Sequence, residues 1–189
     1  MDSLSQLLDE RWLEYLQACS ENLPGNEKHS EKLKLYAAVR RLSEAVGDRT
    51  VAEAILEISS NLMACEQMAI VVFQDDAKSD PFIRSVGLTQ ERSEALRSNA
   101  ERIVEEVAEG RVYLSGGTET THPFLASLGI TAQVPLWQDR KMKGAIVFYD
   151  LLPQRNGLDT EDHALLKLLA VYAGPCLFHC WGDSQEPVE

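Results

Sequence analysis

His122 lies between Thr121 and Pro123, just past the stretch Ser115-Gly116-Gly117-Thr118-Glu119-Thr120. An imidazole beside a glycine-bearing loop, at a helix start, can ligate haem iron or hydrogen-bond a small molecule. A single histidine is a weak signal for haem, and an exposed or capping residue ahead of a proline is the simpler reading. Cys176, His179 and Cys180 fall within five residues at helical spacing. Two thiolates and an imidazole suit a soft metal, but structural zinc takes four ligands and no second Cys/His cluster follows, so packing cysteines are the simpler reading. The carboxylate pairs Asp75-Asp76 and Asp159 with Asp162 have the composition of acid or metal chemistry. The first pair sits in a turn and the second at a helix start, both places where Asp is favoured by the backbone. Asp75, Asp76 and Asp80 also lack the later ligands of a calcium loop. No Ser-His-Asp set, Walker motif, phosphate-binding glycine loop or zinc-protease motif occurs. No catalytic residue or metal ligand is assigned.

The 189 residues suit one domain with an appendage, and 44% hydrophobic composition supplies a core. Eighteen basic residues against 30 acidic ones, a net charge of -12, disfavour nucleic acid and anionic lipid as partners. Asp2, Asp9, Glu10 and Arg11 among the first leucines do not make a signal peptide. The longest uncharged apolar run, Leu168 to Trp181, contains Gly174, Pro175 and His179 and falls short of the roughly 20 residues that span a bilayer. Cys19, Cys65, Cys176 and Cys180 suit small buried hydrophobes in a reducing compartment. A cytoplasmic protein is expected.

Leu4, Leu8, Trp12, Tyr15 and Cys19 predict a first helix over Asp2–Asn22, with Leu23 to His29 as linker. A second helix is predicted from about Ser30, with a seam of Leu35, Val39, Leu42 and Val46 and an end at Gly47-Asp48. Thr50 and Glu53 form a capping-box signature for a third, which carries Val51, Ile55, Ile58 and Leu62 to about Ala64. Residues 68–73 and 82–86 read as a hairpin. Thr89 caps a helix whose Leu96, Ala100, Ile103 and Val107 face inward as far as Gly110. A short strand over Arg111–Leu114 and a helix opening at His122-Pro123 follow. The class is α+β, and the boundaries are 1–29 for the helix and linker, 30–181 for the domain and 182–189 for an acidic tail.

The most specific pattern spans Ile130 to Ala173. Val134-Pro135-Leu136 meets the polar turn Gln138 to Lys143, then Gly144-Ala145-Ile146-Val147-Phe148-Tyr149. An acidic start, Leu158 to Asp162, then opens a helix with Leu165, Leu166, Leu168, Leu169, Ala170 and Ala173. In that order these features resemble a GAF domain. The resemblance implies a central antiparallel sheet, a layer of N- and C-terminal helices on one face, and a helix–loop segment covering a cavity on the other. It implies cavity positions at Arg84, Tyr113, His122, Phe124, Thr131 and Gln133. Gln133 is the most telling, because a polar residue alternating with Ala132 and Val134 must meet water, a partner or a ligand. Tyr113 and Phe124 have the simpler reading of space-filling aromatics, the commoner role at strand or helix spacing.

The specialised branches of that family do not fit. No cysteine stands between Tyr113 and Ile130 to attach a bilin, and the Asn-Lys, Phe and Asp-Glu pattern of cyclic-nucleotide binders is missing. The cavity cysteines of methionine-sulfoxide reductases are also missing, with Cys65, Cys176 and Cys180 expected on flanking helices. The resemblance therefore implies a non-enzymatic regulatory module that binds a small molecule, its cofactor unspecified, and acts in trans on a protein partner. The alternative is a dimeric interaction scaffold with no ligand. Apolar residues around most of the last helix require a second covering surface. A homodimer through Leu35, Val39, Leu42, Val46, Leu165, Leu169 and Tyr172 is expected, or else the first helix covers the same surface within one chain. Gly174-Pro175 predicts a kink or end in that last helix.

Overall fold

Continuous burial along three apolar runs, with successive side chains pointing to opposite faces, builds a sheet that is buried on both sides. The computed structural model describes residues 25–73, 80–106, 112–115, 122–155 and 157–183. Its helices are α1 (Gly25–Glu44), α2 (Asp48–Met63), α3 (Gln90–Ser98), α4 (Ala100–Glu105), α5 (Pro123–Ser127) and α6 (Thr160–Asp183). Its strands are β1 (Cys65–Val72), β2 (Phe82–Val86), β3 (Tyr113–Leu114), β4 (Ala132–Gln138) and β5 (Lys141–Leu151). They form one antiparallel sheet in the order β2-β1-β5-β4-β3. Helices α1, α2 and α6 cover one face and α3 to α5 the other, the expected α+β arrangement.

The helical face holds the larger core. Met68, Ile70 and Val72 of β1, Ile146 and Phe148 of β5, and Ala132, Val134 and Leu136 of β4 pack with α1, α2 and α6. Residues opposite one another in register share a face, so the rows follow from the pairing. The excess apolar surface of α6 does find a second cover. The helix packs on β4 with one side and on α1 and α2 with others, leaving Leu165, Leu166, Leu168, Leu169, Tyr172 and Leu177 buried.

Helix α6 runs unbroken through Pro175, contrary to the expected end. Pro175 and Val171 are both exposed, so the carbonyl that Pro175 cannot serve lies on the solvent side. Gly174 is needed instead for close approach. A Cβ there would lie 2.6 Å from the Trp137 carbonyl oxygen and 2.7 Å from its nitrogen. Pro135 is tolerated because β3 pairs only with Ala132 and Gln133, leaving β4 an edge strand beyond them. The β4–β5 turn is tighter than the polar run suggests. Asp139 and Arg140, at φ 49° and 63°, form a two-residue loop between paired Gln138 and Lys141.

Other boundaries also differ. Helix α1 begins at Gly25 rather than near Ser30, since first-turn residues make no intrahelical amide bond and Gly25-Asn26 cost little there. Helix α2 begins at Asp48. The Thr50 hydroxyl donates to the carbonyls of Val46 and Gly47 instead of capping the helix. Thr89 does cap α3, accepting from the Arg92 amide at 3.3 Å. The single helix expected after it divides at Asn99, whose side chain turns back to the Ala95 carbonyl at 2.8 Å. Cys65 opens β1 rather than lying on a helix. The predicted first helix, Asp75-Asp76, Val107, Gly110 and residues 116–121 and 184–189 fall outside the described residues.

Candidate functional site

The α3–α5 face of the sheet is built from the row Tyr113–Gln133–Val147–Ala69, read across four strands by register. Ala145, Val71 and Tyr149 extend it, and Leu96, Ala100, Ile103, Val104, Leu125 and Ile130 close over it. Gln133 is completely buried in this apolar setting. Its Nε2 donates to the Ile103 carbonyl in the last turn of α4, at 2.7 Å. A sheet residue thereby caps the C-terminal turn of a helix in the covering layer. The other end of the amide, Oε1, is buried with no hydrogen-bond partner among the described residues. Such an acceptor costs about 1–3 kcal/mol relative to a satisfied one.

The other expected cavity residues divide. Tyr113 is buried, and the His122 ring meets it edge-on with centroids 5.4 Å apart. His122 Nδ1 lies 3.9 Å from Glu106 Oε1, near enough for charge attraction but too far for a hydrogen bond. Phe124 is half-buried and carries the Arg102 guanidinium 3.8 Å above its ring centroid. The Thr131 hydroxyl donates to the Tyr149 carbonyl and so ties the entrance of β4 to β5. These four residues lie on one side of the sheet with Gln133.

Arg84 does not join them. It stands opposite Ile70, which is opposite Ile146 and in turn Val134, the row that faces the helical layer. Its Nε is buried there with no hydrogen-bond partner among the described residues. A one-residue difference in register parity moves a strand side chain to the opposite face, and no motif in β2 fixes that parity.

Three polar contributors were not anticipated from the sequence. Arg102 and Glu106 are four apart on the covering layer, a spacing that does put two side chains on one helix face. Arg92 donates to Gln67 Oε1 at 2.7 Å and pairs with Asp150, its guanidinium 5.2 Å from the Tyr149 ring centroid. Burial pushes the Tyr149 hydroxyl up to about 12, with Arg92 opposing it. Arg92 therefore bolts α3 to β1 and β5.

The remaining chemical candidates resolve into structure. Asp159 Oδ1 accepts from the Asp162 amide at 3.0 Å, and Asp162 Oδ2 accepts from the Asp159 amide at 2.9 Å, with Arg155 on both carboxylates. This is reciprocal capping of α6, as the backbone reading expected. Burial raises Asp162. For Asp159 burial acts the same way, but the Asp162 amide and Arg155 outweigh it and hold that carboxyl low. The Cys65 thiol is pushed up to about 12 by burial and sits 3.3 Å from the Asp150 carbonyl oxygen, an inert setting. Cys176 is buried while His179 is exposed, so one accessible face does not hold both. No group of three or more metal-binding side chains occurs among the described residues.

No family model and no curated protein matches the sequence. Solved structures do. The GAF domain of an Acinetobacter phosphoenolpyruvate-protein phosphotransferase is 15% identical, with a TM-score of 0.56 over 82% of this chain and 98% of that one. The corresponding Coxiella burnetii domain is 10% identical, with a TM-score of 0.55 over 84% and 98%. The chain has the GAF fold. A third GAF domain, from the Escherichia coli potassium sensor histidine kinase KdpD, is 16% identical, with a TM-score of 0.52 over 80% and 96%. The GAF architecture accounts for the two-sided sheet. At these identities it supplies no residue roles, which rest on the geometry above.

The expected dimer residues have another place in this GAF fold. Leu35, Val39, Leu42, Leu165, Leu169 and Tyr172 are all buried within one chain, where α1, α2 and α6 cover one another. Their side chains are therefore covered without a second copy. Val46 alone of that set is exposed, at 71%. Among the described side chains, the large apolar ones left outward on α1 and α6 are Leu33, Tyr36 and Val171.

Proposed function

We propose that this chain is a regulatory module that holds a small molecule beneath its α4–α5 cover and signals to a partner protein in trans. The observation that carries this reading is the buried, unpartnered Oε1 of Gln133. An apolar enclosure that retains an acceptor favours an occupant with an N–H or O–H donor. Tyr113, His122 and Phe124 supply aromatic surface on the same side. Because the other end of the Gln133 amide caps α4, a ligand that reorients it also alters the hold on that helix. The outward apolar residues Leu33, Tyr36 and Val171 are the natural places for a protein contact. No residue is assigned a catalytic role. The cytoplasm is the compartment consistent with the acidic composition, and among the described residues no helix is long and apolar enough to cross a membrane.

A second reading also has an observation in its favour. Leu96, Ile103, Leu125 and Ile130 are essentially inaccessible, which suits a closed interaction module with no ligand. Thermal unfolding discriminates the two. A ligand that binds only the native state raises stability, so protein purified gently should melt above the same protein after unfolding, dialysis and refolding. Identical melting temperatures, with nothing released into the dialysate, would favour the ligand-free module.

A further inference from the structure

The sheet ends on one side at β2, which pairs with β1 and with no other strand among the described residues. Which of its backbone groups face outward follows from one hydrogen bond. The Phe73 amide donates to the Lys143 carbonyl at 2.7 Å, so Ala69, Val71 and Phe73 point their backbone groups at β5. Met68, Ile70 and Val72 then point theirs at β2, where they exchange bonds with Val86, Arg84 and Phe82. That leaves the N–H and C=O of Ile83 and Ser85 turned to the open edge. Arg84 stands between them, its Nε buried with no hydrogen-bond partner and no carboxylate paired with it among the described residues. We propose that this edge is a docking site for an extended, acidic segment of a partner protein, which adds a strand beside β2 and sets a carboxylate opposite Arg84.

The side chains decide the occupant. A strand bonded to Ile83 and Ser85 brings its middle residue directly opposite Arg84, as a non-hydrogen-bonded pair with Cα atoms about 4.5 Å apart. An aspartate or glutamate there gives the guanidinium the acceptor it lacks, and opposite charges so placed favour pairing. On the same side of the strand Val86 is 40% exposed and Phe82 half-buried, so apolar residues suit the flanking positions. A second copy of β2 is a poor occupant. The two-fold register centred on Arg84 uses all the outward groups of both strands but sets guanidinium against guanidinium. Centring on Ile83 puts Ser85 opposite Pro81, which has no N–H, and centring on Ser85 puts Ile83 opposite Gly87, whose φ of 68° leaves the strand. Arg84 therefore guards the edge against self-association while admitting an acidic partner. Gln133 stands three strands away on β4, so docking here does not depend on a ligand there.

Amide hydrogen exchange of the nitrogen-15-labelled full chain, followed residue by residue by NMR, tests this. In the free protein the Ile83 and Ser85 amides should exchange freely while those of Arg84 and Val86 are protected. Slow exchange at Ile83 and Ser85 that speeds up on dilution would show a second copy on the edge, and slow exchange that persists would show the chain covering itself. Either result overturns the proposal. The peptide acetyl-Val-Thr-Glu-Thr-Val-amide at millimolar concentration should then protect both amides. It should bind roughly tenfold more tightly than the same peptide with Lys in place of Glu. Arg84→Glu should reverse that preference. No protection by the glutamate peptide, equal binding of the two peptides by wild type, or an unchanged order in the folded variant would overturn the proposal as well.

Discussion

The two faces of the sheet are equally buried but differently composed. On the helical face, neighbouring strands present Ile70, Ile146 and Val134 in one row, with Met68, Phe148 and Ala132 in the next, and long helices seal them. On the other face, the row Tyr113–Gln133–Val147–Ala69 sets an amide among apolar groups beneath two short helices. One face makes the fold. The other sets a half-paired amide in the middle of the sheet, whereas the unpaired Arg84 Nε of the helical face stands on the edge strand β2.

The contrast breaks most visibly through the helical face. Leu169→Ala, at a position with no exposure, should cost about 2–5 kcal/mol in urea unfolding, since deleted contacts and a residual cavity add. A cost under about 1 kcal/mol would mean that α6 is less tightly packed than described. Gly174→Ala should come next at about 1–3 kcal/mol, because its new methyl meets backbone rather than a yielding side chain. Retention of wild-type stability would show that α6 can slide away from Trp137.

The covering face should respond less. Gln133→Met keeps the approximate shape, removes the cap on Ile103 and also removes the unpaired oxygen. The two effects oppose each other, so the net change in unfolding free energy should stay within about 1 kcal/mol. A loss comparable to that of Leu169→Ala would make Gln133 chiefly a structural residue. Gln133→Glu sharpens the point, since it sets a carboxylate against the Ile103 carbonyl and should be worse than Met.

The smallest effect is alkaline. Cys65 and Tyr149 are both pushed up to about 12 by burial, from ordinary values of 9.0 and 10.0. Their folded-state values lie above the unfolded ones, so the native state binds more protons than the unfolded state in that interval. Their contribution is complete below pH 9 and is lost as pH rises toward 12. Melting temperature against pH should therefore fall across that window, less steeply in Tyr149→Phe. Parallel curves for the two proteins would contradict the Tyr149 part.

Elements marked by local chemistry were readable from the sequence. Thr89 as a helix cap, His122-Pro123 as a helix start, and the hairpin around Val134-Pro135-Leu136 each rest on a few adjacent residues. Gln133 was also readable, since one polar residue broke an apolar alternation. Facts that depend on distant neighbours were hidden. Arg84 changed faces because register parity is set by pairing with β1, and α6 passed Pro175 because the lost bond falls on its solvent side. Leu35, Val39 and Leu42 of the α1 seam are buried, whereas Val46 lies past the helix and is exposed; α2 and α6 of the same chain cover the seam, and an apolar stripe does not say which chain will. Arg92, Arg102 and Glu106 became visible only when folding brought their helices over the sheet.

Native mass spectrometry of wild type and Gln133→Met, each purified gently from the protein's own cells, bears most directly on the Gln133 site. We expect wild type to retain a reproducible small-molecule mass, and the folded Met variant to lose it. The same retained mass on both proteins, or bare protein in both, would contradict a ligand held by Gln133.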